Sequence, residues 1–216
     1  MSTMRRAALF DLDGTLFDSL GLWTDIDRRF FAARGIPFPA DFFDCIAGLS
    51  FKQIAVYTKA RFNLPETPEA LMEEWTQMCA AAYENDIQLK PGAERVLKQI
   101  KAAGTQMAVV TTLARAQFEP ALRRLGVYGL FDAFLVTGEV ALSKADGRIY
   151  LSTAAALGVQ SCDCVVFEDV YEGIQGAKAA GMHVCLVYDV HNINRIEASR
   201  QLCDEYIDNW NSYSWS

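Results

Sequence analysis

The second half of the chain repeats one pattern four times: an amphipathic stretch, a glycine, and a short apolar run that ends in a polar turn. Val96, Leu97 and Ile100 precede Gly104 and the run Met107–Val110. Phe118, Leu122 and Leu125 precede Gly126 and Ala133–Val136. Tyr150, Leu151 and Leu157 precede Gly158 and Cys164–Phe167, while Ile174 and Ala177 precede Gly181 and Val184–Val187. Apolar positions three and four apart mark helix faces. Glycine suits the position just past a helix, where φ is positive. Short runs that are apolar throughout and alternate with helices are strands of a parallel sheet covered on both faces. The pattern therefore predicts an α/β fold, a doubly wound parallel sheet with a Rossmann-like core. Pro120 is expected to limit how early the second of these helices begins.

A further apolar run, Ala7–Phe10, opens the chain and is followed by Asp11-Leu12-Asp13-Gly14-Thr15. Residues 18–87 contain no strand pattern. Trp23, Ile26 and Phe30 fall at helical spacing, with Asp27 as the polar member. Ser50 and Gln53 form a capping box, and Thr67 with Pro68 marks another helix start. Leu71, Trp75, Met78 and Ala82 make the stripe behind it. The expected organisation is a core of residues 1–17 and 88–216, interrupted by a small all-helical cap at 18–87. Both ends of that insertion return to the sheet edge that carries Asp11, where a helical module can act as a lid.

If the strands are parallel, their polar ends converge on one crevice. The first ends in Asp11 and Asp13, the second in Thr111 and Thr112, and the fourth in Glu168 and Asp169, with Lys144 in the turn after the third. Like charges this close repel and raise one another's pKa unless a cation intervenes. A hard divalent ion is implied, and Mg²⁺ fits a site of oxygen ligands completed by water and phosphate. Lys144 and Thr111 would bind the same anionic phosphoryl group.

The composition agrees. At 216 residues, with 51% hydrophobic and 22% charged, the chain is globular. A formal charge of −7 argues against nucleic-acid or anionic-membrane partners. No apolar run is long enough to span a bilayer, and the start, Met-Ser-Thr-Met-Arg-Arg, has no signal-peptide character. A cytoplasmic location, and a monomer or weak dimer, are expected. The cysteines, including the Cys162-Asp163-Cys164 pair, read as reduced thiols without a zinc site.

Asp11-Leu12-Asp13-Gly14-Thr15, Thr111, Lys144 and Glu168-Asp169 resemble, in order and spacing, the four motifs of the haloacid dehalogenase superfamily. The insertion resembles the helical cap of its β-phosphoglucomutase-like phosphatases. The resemblance implies a Mg²⁺-dependent phosphatase of small phosphorylated metabolites, sugar phosphates or nucleotide-like compounds. Asp11 would be the nucleophile that forms an aspartyl-phosphate and Asp13 the general acid and base, while Thr111 and Lys144 hold the phosphoryl oxygens. The metal would sit among Asp11, Asp169 and the backbone carbonyl of Asp13, with Glu168 as ligand or one step removed. Thr112 stands where the family often has Asn; with Trp23, Phe51 and Lys52 it completes the substrate-binding expectations. Mutases of this type carry a histidine where this chain has Trp23. They carry an arginine at Phe51 in Gly48-Leu49-Ser50-Phe51, so hydrolysis is favoured. Lys52 in place of that arginine keeps a phosphomutase as the alternative. A phosphoryl-ligand binding protein ranks below both. The third motif reads Lys144-Ala-Asp-Gly-Arg148 in place of Lys-Pro-x-Pro-Asp, which puts the aim of Lys144 in question.

Overall fold

The computed structural model describes residues 5–19, 21–46, 49–190 and 195–215. It divides into two compact units, Met1–Leu20 with Ile87–Ser216, and Gly21–Asp86.

The first unit is built on six parallel strands: β1 (Ala7–Phe10), β2 (Gln106–Thr111), β3 (Ala133–Val136), β4 (Cys164–Glu168), β5 (His183–Val187) and β6 (Glu205–Ile207). Their order in the sheet is β3-β2-β1-β4-β5-β6, so the fold is the α/β doubly wound arrangement. The central strands are buried along their whole length on both faces. Ala7 and Leu9 face a cluster that includes Ile149, Tyr150, Ile174 and Ala177. Phe10, facing the other way, stacks on Phe167 at 4.8 Å between ring centroids. Trp210 packs against both rings. Such pairs add to the burial that makes aromatic residues the main contributors to a core.

Among the described residues, the second unit is formed by four helices: α1 (Leu22–Ala33), α2 (Phe42–Ile46), α3 (Phe51–Phe62) and α4 (Pro68–Asn85). The first unit adds α5 (Ala93–Ala102), α6 (Arg115–Arg124), α7 (Thr137–Val140), α8 (Arg148–Ala156), α9 (Tyr171–Ala179) and α10 (Ile196–Leu202). Among the described residues no helix is long and apolar enough to cross a membrane. All six cysteines are free.

Local sequence explains most boundaries. Ser50 and Gln53 cap each other at the start of α3, and Thr67 accepts from the Ala70 N–H ahead of α4. Gly104, Gly126, Gly158 and Gly181 all have positive φ after their helices. Four short elements escape the sequence pattern, α2 and α7 among them. The edge strand β6 is three residues long and partly charged, and α10 is a single short helix. Pro120 does not delay α6, which starts at Arg115 with the proline inside. Gln117 accepts from the Ala114 N–H at 3.1 Å, which caps the start. Burial of Phe118, Ala121 and Leu122 outweighs the one backbone bond that proline removes.

The helical unit packs around aromatic residues. Phe31 meets Phe42 edge to face at 5.0 Å, and Phe30 lies 4.8 Å from Trp75. Arg34 lies over the Phe30 ring and donates to Glu66 at 2.7 Å and Glu74 at 2.6 Å. Asp27, the polar member of the α1 pattern, is not solvated but 8% exposed. Burial alone pushes its carboxyl up to about 7.

A raised carboxyl pKa means that folding favours the protonated form. The stability this allows is present at low pH and is lost as pH rises from about 4 toward 7. Asp27→Asn removes the ionisable group at similar shape. It should raise the thermal midpoint at about pH 8 and leave it nearly unchanged at about pH 4. Calorimetry at both values checks this; equal midpoints at the higher pH would contradict the assigned burial cost.

Candidate active site

From β1 the chain builds outward to β2 and β3 on one side, then returns to place β4, β5 and β6 on the other. The crevice at such a reversal, beyond the carboxyl ends of the strands, is where open α/β sheets bind ligands. Asp11 follows β1 directly, Thr111 ends β2, and Glu168 ends β4 with Asp169 next to it. A cavity of about 820 Å³ at this edge is lined by Asp11, Asp13, Thr112, Lys144, Glu168 and Asp169, among others.

Lys144 joins the acids. Its side chain is 12% exposed, and its Nζ donates to Asp11 Oδ1 and, at 2.9 Å, to Glu168 Oε2. The atypical loop around it is closed by its own residues. Ser143 Oγ accepts from the Ala145 N–H at 3.1 Å, and Asp146 accepts from the Arg148 N–H at 3.0 Å. The Arg148 guanidinium reaches the same carboxylate at 2.6 Å, and Gly147 turns the chain at φ +77°. Capping by Ser143 and Asp146 does the work that prolines would do in a stiffer loop.

The loop can reach the sheet edge because α9 lacks side chains where the two meet. A Cβ on Gly176 would stand 1.7 Å from the Lys144 carbonyl oxygen. One on Gly173 would stand 2.4 Å from the Glu168 carboxyl carbon. Glu168 and the Lys144 loop occupy that space. Neither glycine is among the site residues expected from the sequence. The available signal was two glycines three apart inside a helix, where each costs about 1 kcal/mol against alanine.

Two further participants escaped it. Tyr150 is buried and donates to Glu168 Oε2 at 3.1 Å; burial, then the Glu168 charge, push its phenol well above the usual value. Trp210 Nε1 donates to the Thr15 carbonyl at 2.9 Å, and the Thr15 hydroxyl donates to Asp169 Oδ1 at 3.2 Å. Arg95 holds the same C-terminal segment by donating to the carbonyls of Trp210 and Tyr213. The turn after Asp13 is thus tied to Asp169 on one side and to the end of the chain on the other.

One oxygen each from Asp11, Glu168 and Asp169 lies within 4.8 Å of the others. Burial drives the Asp11 carboxyl well above the carboxylate range; Lys144 opposes this, and the Glu168 and Asp169 charges add to it. Burial also works against the Lys144 ammonium, but Asp11 and Glu168 outweigh it and hold the amine charged. Three buried carboxylates against one ammonium leave negative charge to be met, and every spare donor is oxygen. That set fits a hard cation such as Mg²⁺. The Asp13 carboxyl is not in the cluster. It is half-buried on the cavity wall, and the metal expectation for that residue concerned its backbone carbonyl.

Of the two threonines, Thr112 is exposed and lines the cavity. Thr111 is buried behind it, and its hydroxyl accepts from the Leu113 N–H at 3.1 Å, which leaves its own proton to donate. Phe51 and Lys52 begin α3 in the helical unit, both exposed, and Trp23 lies on α1. The Trp23 side chain and Gly48 fall outside the described residues.

Residues 8–187 match the family of haloacid dehalogenase-like hydrolases. The chain belongs to this family, among its β-phosphoglucomutase-like members. It is 29% identical over 195 residues to a validoxylamine A 7'-phosphate phosphatase of Streptomyces hygroscopicus subsp. limoneus, covering 83% of this chain and 84% of that one. A phosphorylated carbohydrates phosphatase of Thermotoga maritima is 26% identical over 189 residues, with 87% of each chain covered. Among solved structures, a Thermotoga maritima protein provisionally described as a β-phosphoglucomutase has the same fold, with TM-score 0.84 at 22% identity and 95% of each chain covered.

Gly176→Ala should force the Lys144 loop off α9 and cost about 1–3 kcal/mol in denaturant unfolding, as other overpacked sites do. Gly129→Ala, with nothing within 4 Å of the added Cβ and no positive φ, should be neutral or slightly stabilising. Equal effects would show that the loop contact is not specific.

Proposed function

We propose that this chain hydrolyses small phosphomonoesters, sugar phosphates or nucleotide-like compounds, through a phosphoryl group carried on Asp11. The chain is a phosphoric monoester hydrolase. The observation that carries this reading is the Lys144 bridge between Asp11 and Glu168 within a buried set of oxygen donors at the sheet edge.

A carboxylate oxygen of Asp11 attacks phosphorus, and the bond to the leaving oxygen breaks. Asp13 gives that oxygen a proton, so the product departs as an alcohol. Asp13 then takes a proton from water, the water oxygen attacks phosphorus, and the acyl-phosphate bond breaks to release phosphate and restore Asp11. Dividing the displacement in two at one carboxylate is covalent catalysis. Lys144 opposes the burial that raises the Asp11 carboxyl and lies where phosphoryl oxygens would gather. Thr111 and Thr112 offer hydroxyl donors at the end of β2. Tyr150, and Gly173 through the room it leaves, hold Glu168 in place. Asp11, Glu168 and Asp169 would hold Mg²⁺, which when bound supplies positive charge to offset the phosphoryl oxygens and the carboxylates.

Two features support hydrolysis over isomerisation. Trp23 and Phe51 replace the histidine and arginine of mutases, and both sequence relatives named above are phosphatases.

The test is phosphate release from a panel of phosphorylated metabolites, with Mg²⁺ and with chelator. Chelation should stop release and added Mg²⁺ restore it. Asp11→Asn should abolish turnover with the fold retained. Asp13→Asn should lower kcat by about 10²–10⁴-fold, the usual value of a positioned acid and base. Undiminished turnover in Asp11→Asn would overturn the assignment.

A further inference from the structure

After β6, residues 209–213 turn back onto the ends of β1 and β4. Trp210 is buried, its ring centroid 6.3 Å from that of Phe10 and 5.1 Å from that of Phe167. Tyr213 meets Phe167 edge to face at 5.6 Å. The backbone of this strap is held separately. Arg95 Nη2 donates to the carbonyls of Trp210 at 2.8 Å and of Tyr213 at 2.7 Å. Gly92 leaves the room: a Cβ there would stand 2.6 Å from Asn211 Oδ1 and 2.7 Å from the Asn211 nitrogen.

Packing accounts for the ring but not for its N–H. The Trp210 indole donates at 2.9 Å to the carbonyl of Thr15, a buried residue, and among the described residues no backbone N–H reaches that carbonyl. The hydroxyl of the same threonine donates to Asp169 Oδ1 at 3.2 Å. Two hydrogen bonds therefore run from the strap to one of the three carboxylates that lie within 4.8 Å of one another. Without the indole donor a buried carbonyl is left unmet, which is costly. The turn would shift to find another partner and carry the hydroxyl away from Asp169.

We propose that Trp210 is a positioning residue for the metal: through Thr15 it aims Asp169 and so sets the affinity of the acidic cluster for Mg²⁺. The inference rests on the reading of Asp11, Glu168 and Asp169 as the Mg²⁺ site. Groups that orient a ligand carboxylate from behind are worth about 10–100-fold in metal affinity. Trp210 acts one bond further back than Thr15, so the lower end applies. Coupling between two sites is reciprocal. Mg²⁺ at the cluster must therefore be felt at the indole, on the last segment of the chain.

The test needs no substrate. Mg²⁺ is titrated into the full-length protein while binding is followed by calorimetry and the Trp210 indole N–H resonance by NMR. In the wild type that resonance should shift saturably with the same midpoint as the heat. Trp210→Phe, which keeps an aromatic ring and loses the donor, should weaken Mg²⁺ binding about tenfold. Thr15→Val cuts the path at its second bond. It should weaken binding at least as much and leave the Trp210 resonance unmoved at saturating Mg²⁺. Tyr213→Phe loses only the hydroxyl that accepts from Arg5 at 3.3 Å and should bind Mg²⁺ as the wild type does, although it disturbs the same strap. Equal affinity in Trp210→Phe, or an unmoved Trp210 resonance in a wild type that binds Mg²⁺, would overturn the inference and leave the metal site standing. A wild type that binds no Mg²⁺ would overturn the metal site and the inference with it.

Discussion

The contact on which the rest of the first unit depends is the Lys144 ammonium held between Asp11 and Glu168. Without that charge, the buried carboxylates at the ends of β1 and β4 would repel one another with little water to screen them. Burial would then push the Asp11 carboxyl higher still, with no cation opposing it. The ammonium pays for neither carboxylate in full, since a buried pair must recover the solvation lost by both partners. It recovers this through hydrogen bonds on every side: Tyr150 and the Val170 N–H at Glu168, and Thr15 at the adjacent Asp169.

Much of the surrounding architecture serves to bring that one amine to that place. β1 and β4 must be neighbours for Asp11 and Glu168 to meet, which requires the reversal in strand order. The loop at residues 144–148 must lie directly on α9, which requires that Gly173 and Gly176 have no side chains. The turn at residues 13–15 must keep its shape, and Trp210 holds it from the far end of the chain. These constraints are dispersed in sequence, yet they converge on a few ångströms of the sheet edge.

The division between what the sequence revealed and what it concealed follows from range. Period and turn chemistry are local, so the apolar runs, the glycine stops and the caps at Ser50 and Thr67 could be read directly. The acids and Lys144 could be read because a parallel sheet delivers every strand end to one edge, so position along the chain stands in for position in space. Gly173, Gly176, Tyr150 and Trp210 act through tertiary contacts that leave no local period. Asp27 gave no local sign of its burial for the same reason: its neighbours come from other helices. Pro120 shows the converse, where a strong local signal yields to the burial of Phe118, Ala121 and Leu122.

The central claim is that Asp11 itself becomes phosphorylated. A single-turnover reaction with a good substrate, quenched in acid within its first turnover, can be digested and weighed peptide by peptide. The account predicts a transient gain of one phosphoryl group on the peptide that contains Asp11, gone when turnover is complete and absent in Asp11→Asn. Phosphate released at full rate with no such species, even when Asp13→Asn slows its breakdown, would mean direct attack by water and would contradict the account.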